Sequence, residues 1–473
     1  MTAPPPSGEE LAGGVSLDAL FRANAVGRPE LIALTDPPNR DSFTDGLPRR
    51  LTFDQTNLAI ERLAQKLQAI SLPAGSVVAV QLPNIVESIV ALLAIMRAGL
   101  IAAPVPMAWR RSDLVAALGS VEPKAFITLA RLDEERPAET ACEVAAELFS
   151  LSFPCAFGEG VPDGVIPLEL DISEPIPGES PLTPSLAPGE FTIVTFDATS
   201  GGFFPVGRGD AQWLAIGLSA LLEARIDSGD AIISTLPPNS LAGIGGAVVP
   251  WLLSGGTLEL VHGPAVPPIS AGEKGRRRHL LGPASAIPEL VAKLQGSVAS
   301  CIAVNRQPGG RNYDYSSVPT ERMVDFTIFG EMGAVALRRR DPEEPRPIPL
   351  GAISAPSEPR GGPVVLETEV AGGELLLRGA MIPRSPFPAG PTANALKFRD
   401  DGFAHTGFRC RRHDDGEFVV VSGPDGVVTV GGLRFGLDDL RSRFSSAVAN
   451  VRVASVKDPL LGERLHIETD NPP

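Results

Sequence analysis

LTFDQTNLAIERLAQKLQAISLPAGSVVAVQLPNIVESIVALLAIMRAGLIAAPVPM, residues 51–107, alternates between two hydrophobic periods. Thr52-x-x-Gln55 reads as a capping box opening a helix that turns Leu58, Leu63 and Leu67 inward. SVVAVQL (76–82) is a continuous apolar run of the kind that forms a strand buried on both faces. Asn84-x-x-Glu87 predicts the cap of a second helix ending near Gly99, and IAAPVPM (101–107) a second strand. Glu87, Arg97 and the breaks at Gly99 and Pro104 make the run too interrupted for a bilayer span. Strands alternating with helices across short loops predict a parallel sheet with crossover helices.

The pattern extends outward. RRSDLVAALGSV (110–121) reads as a helix and KAFITLA (124–130) as a strand. Residues 158–190, rich in Pro, Gly, Glu and Asp without periodicity, read as a surface connection between two lobes. The alternation then restarts with strand 191–196, helix 210–224, strand 231–236, helix 241–254 and strand 257–262, and a further strand closes at Phe329. After another Pro- and Glu-rich stretch (341–363), GELLLRG (373–379) and GEFVVVSG (416–423) predict antiparallel strands. SGPDG (422–426) reads as a hinge before a short strand–helix–strand tail. The predicted fold is therefore α/β. A large N-terminal domain (1–424) has parallel or mixed lobes at about 1–157 and 191–340 and a β unit at 341–424. A short α+β domain follows at 425–473.

With 473 residues the chain exceeds one ordinary core. A net charge of −15 repels polyphosphate backbones, which argues against nucleic acid as a partner. The basic cluster Lys274, Arg276, Arg277, Arg278 and His279 reads as a solvated loop. Four scattered cysteines without a CxxC pair fit a reducing cytoplasm, and the acidic, proline-rich start MTAPPPSGEE is not a signal peptide.

TFDATSGGFFPVGRGD (195–210) begins as a phosphate-binding loop would, with a strand leading into Thr199, Ser200, Gly201 and Gly202. Phe203, Phe204 and Pro205 then stand where hydroxyls and a lysine would be useful. These pieces, in this order, resemble the adenylate-forming superfamily: acyl- and aryl-CoA synthetases, luciferases and peptide-synthetase adenylation domains. Residues 51–107 resemble its opening lobe, GGLRFGLDDLRSRF (431–444) its GFRIxxxEIE segment, and ASVKDPLLGERL (454–465) its VGxPDxxxGE segment. The resemblance implies a carboxylate attacking the α-phosphorus of ATP, then a thiol such as CoA taking the acyl group. Mg²⁺, backbone N–H groups and lysine hold the charge on phosphorus. It also implies a C-terminal domain that swings about the hinge between the two half-reactions.

The family's phosphate loop TSGTTGxPKG corresponds to TSGGFFPVGRG, in which Thr199, Ser200 and Gly201 match. Gly202, Phe203 and Phe204 replace the next donors, and Gly207 or, with a one-residue slip, Arg208 takes the lysine's place. The residues favour a lobe-connecting turn with aromatics packed over it. YGxTE corresponds to Phe329-Gly330-Glu331-Met332-Gly333, with the Mg²⁺ glutamate position held by Gly333; Glu331 is a weak metal candidate and reads as an exposed loop acid. TGD corresponds to Thr406-Gly407-Phe408, without the ribose-gripping aspartate, and the arginine before the hinge is Pro424. The acyl-pocket helix PxxHxxG corresponds to Ser240 and the residues after it, so Ser240, Gly243, Gly246 and Phe329 are the candidate acyl-pocket residues. Tyr313 and Tyr315 read as exposed loop residues or base-stacking rings. The family's C-terminal lysine has no counterpart.

These losses predict a protein impaired or inactive in carboxylate adenylation, with ligand or partner binding what remains. By lineage the cleft would hold a carboxylic acid, an acyl-adenylate or an acyl thioester, as in fatty acid metabolism. One alternative is an active AMP-forming acid–CoA ligase, with Arg208 for the lysine, Glu331 for the metal carboxylate, a partner supplying the missing C-terminal part, and ATP/Mg²⁺ and CoA as cofactors. Another is a structural subunit that pairs through its C-terminal edge with a functional homologue or with its own kind.

Overall fold

Thr52 opens the helix Phe53–Ala69 as its spacing predicts. The Gln55 N–H donates to the Thr52 hydroxyl at 3.2 Å, and the Thr52 N–H donates to the Gln55 side-chain oxygen at 3.0 Å. The computed structural model describes residues 14–172, 191–263, 275–295, 297–306, 315–316, 318–341, 344–358, 361–388, 397–413, 415–447, 452–458 and 462–468. Leu63 and Leu67 are buried on the inward face, while Leu58 is half-buried. The next helix is Val86–Arg97, and Asn84 does not cap it: Asp36 accepts the Val86 N–H at 2.8 Å instead. Asn84 is drawn away because its amide bridges the carbonyls of Ser234 (2.8 Å) and Val261 (3.0 Å) in the other lobe.

Every residue of Val86–Arg97 is buried. A helix without a polar face must be covered all round, and helices Leu17–Gly27 and Phe53–Ala69 and the first sheet cover this one. Its two charges are paired: Glu87 with Arg40 (2.5 Å) and Arg49 (2.6 Å), Arg97 with Asp18 (2.8 Å).

The first sheet has seven strands in the order Ile166–Leu168, Phe153–Phe157, Ala125–Leu129, Val77–Val80, Ile101–Pro104, Ile193–Thr199 and Gly202–Arg208. All neighbours are parallel except the last pair. The second has eight, in the order Gly333–Arg338, Met323–Phe329, Ser300–Asn305, Arg278–Pro283, Ala231–Ser234, Thr257–Leu260, Ile32–Thr35 and Arg50–Thr52, parallel inside and antiparallel at both ends. The expected lobes therefore exchange strands. Ile32–Thr35 pairs with the second sheet at Leu34 and Leu258, and Ile193–Thr199 joins the first at Ala102 and Ile193. A strand buried on both faces carries no mark of which sheet receives it.

Two antiparallel sheets follow among the described residues. Six strands between Ile348 and Ser422 form one. Val427–Val430, Leu433–Gly436, Arg452–Asp458 and Gly462–Glu468 form the other, with helix Leu437–Ala447 beside it.

The basic cluster is corrected by the second sheet. Arg278 and His279 lie inside strand Arg278–Pro283, buried, with Arg278 paired to Glu259 at 2.5 Å. His279 sits between the Ser300 hydroxyl (2.7 Å) and the Asp230 carboxylate (3.0 Å). Tyr315 is likewise a core residue, with its hydroxyl on the Ala284 carbonyl at 3.0 Å and Arg339 over its ring. Lys274 and Tyr313 lie outside the described residues. Among the described residues no helix is long and apolar enough to cross a membrane.

Candidate functional site

Thr199 to Gly202 is a two-residue hairpin. Strands Ile193–Thr199 and Gly202–Arg208 pair up to Thr199 opposite Gly202, with Ser200 and Gly201 as the turn. An open cradle aims successive N–H groups at an anion. Here the ladder continues to the tip, and the Thr199 hydroxyl donates to the Gly202 carbonyl at 3.3 Å. Phe203 is buried against Trp109 with ring centroids 4.4 Å apart, and Trp109 also meets Phe196 edge-on.

Neither candidate for the lysine's place presents a free cation to the loop. A Cβ on Gly207 would stand 2.8 Å from both Phe191 and Phe387, so no side chain fits there. Arg208 differs from the expected phosphate contact. It is fully buried, donating to the carbonyls of Glu331 (2.5 Å), Met332 (2.8 Å) and Met381 (3.2 Å) and lying over the Trp213 ring. Burial brings its guanidinium down to about 10, opposed by the Glu331 and Asp197 carboxylates.

Glu331 is not an exposed loop acid. It is buried, with one oxygen 3.1 Å from Arg306 and the other accepting the Leu241 N–H at 2.7 Å. Burial pushes its carboxyl up, against the pull of Arg306. The Glu331 N–H in turn donates to Asp197 at 2.8 Å. Asp197 is the carboxylate that pairs with Arg434 from the C-terminal hairpin. Gly330 has φ +61, and a Cβ there would meet the Asp197 carboxylate at 2.0 Å and Arg434 at 2.1 Å. Only glycine lets these charges close together.

Phe408, which the resemblance sets in the ribose aspartate's place, is buried. Arg434 lies over its ring at 5.5 Å, and Phe329 meets it edge-on at 5.5 Å. Phe329 is fully enclosed, and Thr406 spends its hydroxyl on the Leu375 carbonyl at 2.7 Å. Pro424 packs against Gly407, 3.1 Å from where its Cβ would be. Of the acyl-pocket candidates, Ser240 lines a cavity. Gly243 and Gly246 instead give close packing: added Cβ atoms would meet the Pro237 carbonyl at 2.0 Å and Leu281 at 2.9 Å.

The C-terminal unit sits on the loop itself. The N–H groups of Asp438 and Asp439, opening helix Leu437–Ala447, donate to the Ser200 carbonyl at 3.0 and 3.2 Å. Gly426 and Gly436 permit the approach, because Cβ atoms there would lie 2.7 Å from the Ser200 side chain and 2.3 Å from the Thr199 carbonyl. Arg443 adds ion pairs to Asp113 and Asp439.

Two cavities flank this charge cluster. One, of about 470 Å³, opens between Pro106–Ala108, Leu236–Ser240, Pro283–Ala286, Val304–Arg306 and the hairpin tip around Gly431 and Gly432. The other, of about 430 Å³, is bordered by Thr199, Ser200, Lys397, Thr406, Asp425 and Arg434. The Mg²⁺ that the resemblance implies finds neither Asp197 nor Glu331 free to hold it. The Asp197 and Glu331 carboxylates are committed to Arg434 and Arg306, and the described residues hold no cluster of three or more metal-ligating side chains. Asp197, Arg306, Arg434 and Lys397 escaped sequence reasoning. Asp197 stands two residues before the loop and Arg434 inside GGLRF, so position relative to those motifs was the available signal; nothing local marks Arg306 or Lys397.

Residues 21–163 match the family model described as AMP-binding enzyme. A 96-residue stretch, 20% of this chain, is 34% identical to 2-hydroxy-7-methoxy-5-methyl-1-naphthoate–CoA ligase of Streptomyces carzinostaticus and spans 17% of that ligase. The apo structure of Mycobacterium smegmatis MbtA superposes with a TM-score of 0.66 at 20% identity, covering 99% of this chain and 90% of that one. A double mutant of Bacillus subtilis o-succinylbenzoate CoA synthetase (MenE), bound with its product analogue OSB-NCoA, gives 0.67 at 17% identity over 95% and 87%. At such identities the superpositions carry the fold.

Proposed function

We propose that this chain, which has the fold of the adenylate-forming ligases and matches the AMP-binding enzyme model over residues 21–163, is a non-adenylating member of that superfamily. It holds a small acyl- or aryl-type molecule between its lobes without joining it to AMP. One observation carries the reading: beside the 430 Å³ cavity at the loop, Asp197 and Arg434 neutralise each other and Arg434 lies over the buried Phe408 ring, so neither charge is free for a nucleotide. Stabilising charge on a transferring phosphorus requires cations free to meet it. The guanidiniums of Arg208, Arg306 and Arg434 bond the protein's own carbonyls or carboxylates, which among the described residues leaves the exposed Lys397 as the cation bordering the 430 Å³ cavity. The loop lysine, the Mg²⁺ glutamate and the ribose aspartate that the resemblance implies are replaced at Gly207 or Arg208, Gly333 and Phe408. Three losses of about 2.7–4 kcal/mol each in transition-state stabilisation would remove most of the catalysis. The aromatic substrate in the Streptomyces ligase's name is of a size that a 470 Å³ cavity admits. A reducing, cytoplasmic setting suits four free thiols, three of them buried.

ATP–pyrophosphate exchange with a panel of fatty and aromatic acids tests this. The expected result is no exchange above a no-acid control; exchange well above it would overturn the reading in favour of an active ligase.

A further inference from the structure

The 470 Å³ cavity differs in chemistry from a pocket made for an acid. Its described walls are mainly apolar, with Met107, Leu236, Val304 and Leu433 among them, and its neutral polar residues include Asn239 and Ser240. The Ser240 hydroxyl makes no capping bond to the helix it precedes. Arg306 is the one charged side chain among the described residues lining it. Its guanidinium is engaged on two sides, by the Glu331 carboxylate at 3.1 Å and by the Gly432 carbonyl at 2.9 Å. Both partners are fixed. Glu331 is held in place by the Leu241 N–H, and Gly432 belongs to the hairpin that Arg434 and Asp197 hold down.

We infer that this cavity takes an uncharged apolar molecule with a hydrogen-bonding carbonyl or amide head, in preference to a free carboxylate. The inference rests on the ligand-binding reading above. A carboxylate entering here loses its hydration and meets a cation already neutralised by Glu331, so it brings a second anion to one guanidinium. An amide or ester head loses far less hydration and finds donors and acceptors at Asn239 and Ser240. The apolar body is favoured by the walls in either case, so the head group alone decides the order.

Matched pairs isolate the head group: 2-naphthamide against 2-naphthoate, and octanamide against octanoate, titrated calorimetrically into the full chain at pH 7.5. Each amide should bind at least tenfold more tightly than its acid. Acids binding as tightly as the amides would overturn the inference while leaving the ligand-binding reading intact. Absence of saturable binding by any of the four would overturn both. Glu331→Gln keeps an acceptor for Leu241 and releases the Arg306 charge, so it should raise 2-naphthoate affinity at least tenfold; a folded variant with unchanged acid affinity would count against the inference. Location is checked with Ala108→Trp, at the exposed rim. It should abolish amide binding, and undiminished binding would place the ligand elsewhere and overturn the assignment.

Discussion

Asp197 and Arg434 stand 237 residues apart in the chain and meet as an ion pair whose side chains are 5% and 7% exposed. One belongs to the strand leading into the phosphate-type loop and the other to the C-terminal hairpin. Their contact fastens the tail to the loop.

Arg434→Gln leaves the Asp197 carboxylate buried without its cation, which typically costs about 3–5 kcal/mol. The C-terminal unit should loosen, so limited proteolysis should cut at residues 422–426 many-fold faster than in the wild type. The double variant Asp197→Asn/Arg434→Gln should be closer to the wild type than either single change. Equal protection in all four proteins would mean that the pair does not hold the tail.

Two glycines of the same contact should behave oppositely. Alanine at Gly436 would put a methyl 2.3 Å from the Thr199 carbonyl and 2.4 Å from the Ser200 carbonyl, while alanine at Gly201 meets nothing within 4 Å. Gly436→Ala should destabilise by roughly 1–3 kcal/mol, and Gly201→Ala should stay within about 0.5 kcal/mol. Urea midpoints check both. A costly Gly201→Ala would indicate an occupied loop face.

Arg208→Met removes the donor from three carbonyls in the core. At about 1–3 kcal/mol for each buried acceptor left unsatisfied, partly offset by removing a buried charge, the expected loss is roughly 2–4 kcal/mol. Any ATP binding by the folded variant should equal that of the wild type. A variant of unchanged stability but weaker ATP binding would restore Arg208 to the nucleotide site.

His279 should make stability fall on acidification. Burial holds its imidazole below the ordinary 6.5, outweighing the Asp230 carboxylate beside it. As pH drops through 6.5 the unfolded chain takes up a proton that the native state refuses, so stability is complete above that value and lost below it. Between pH 7.5 and 5.5 the wild type should lose up to about 1.4 kcal/mol per pH unit more than His279→Gln. Parallel profiles in urea titrations would contradict this.

The sequence by itself determined the alternation of strands and helices and the Thr52–Gln55 capping box, and it set Phe408, Gly333 and either Gly207 or Arg208 where the resemblance expects the family's charged residues. Each is a local signal, carried by hydrophobic period or by residue identity within a motif. Only the tertiary structure decided which sheet each buried strand joins, because a continuous apolar run is compatible with either. It also decided that Glu331 and Arg208 face inward and that Asp197, Arg306 and Arg434 close the site between them. A side chain's charge is written in the sequence, but its partner is set by long-range packing. In a low-dielectric cleft that partner fixes whether the charge is free to act.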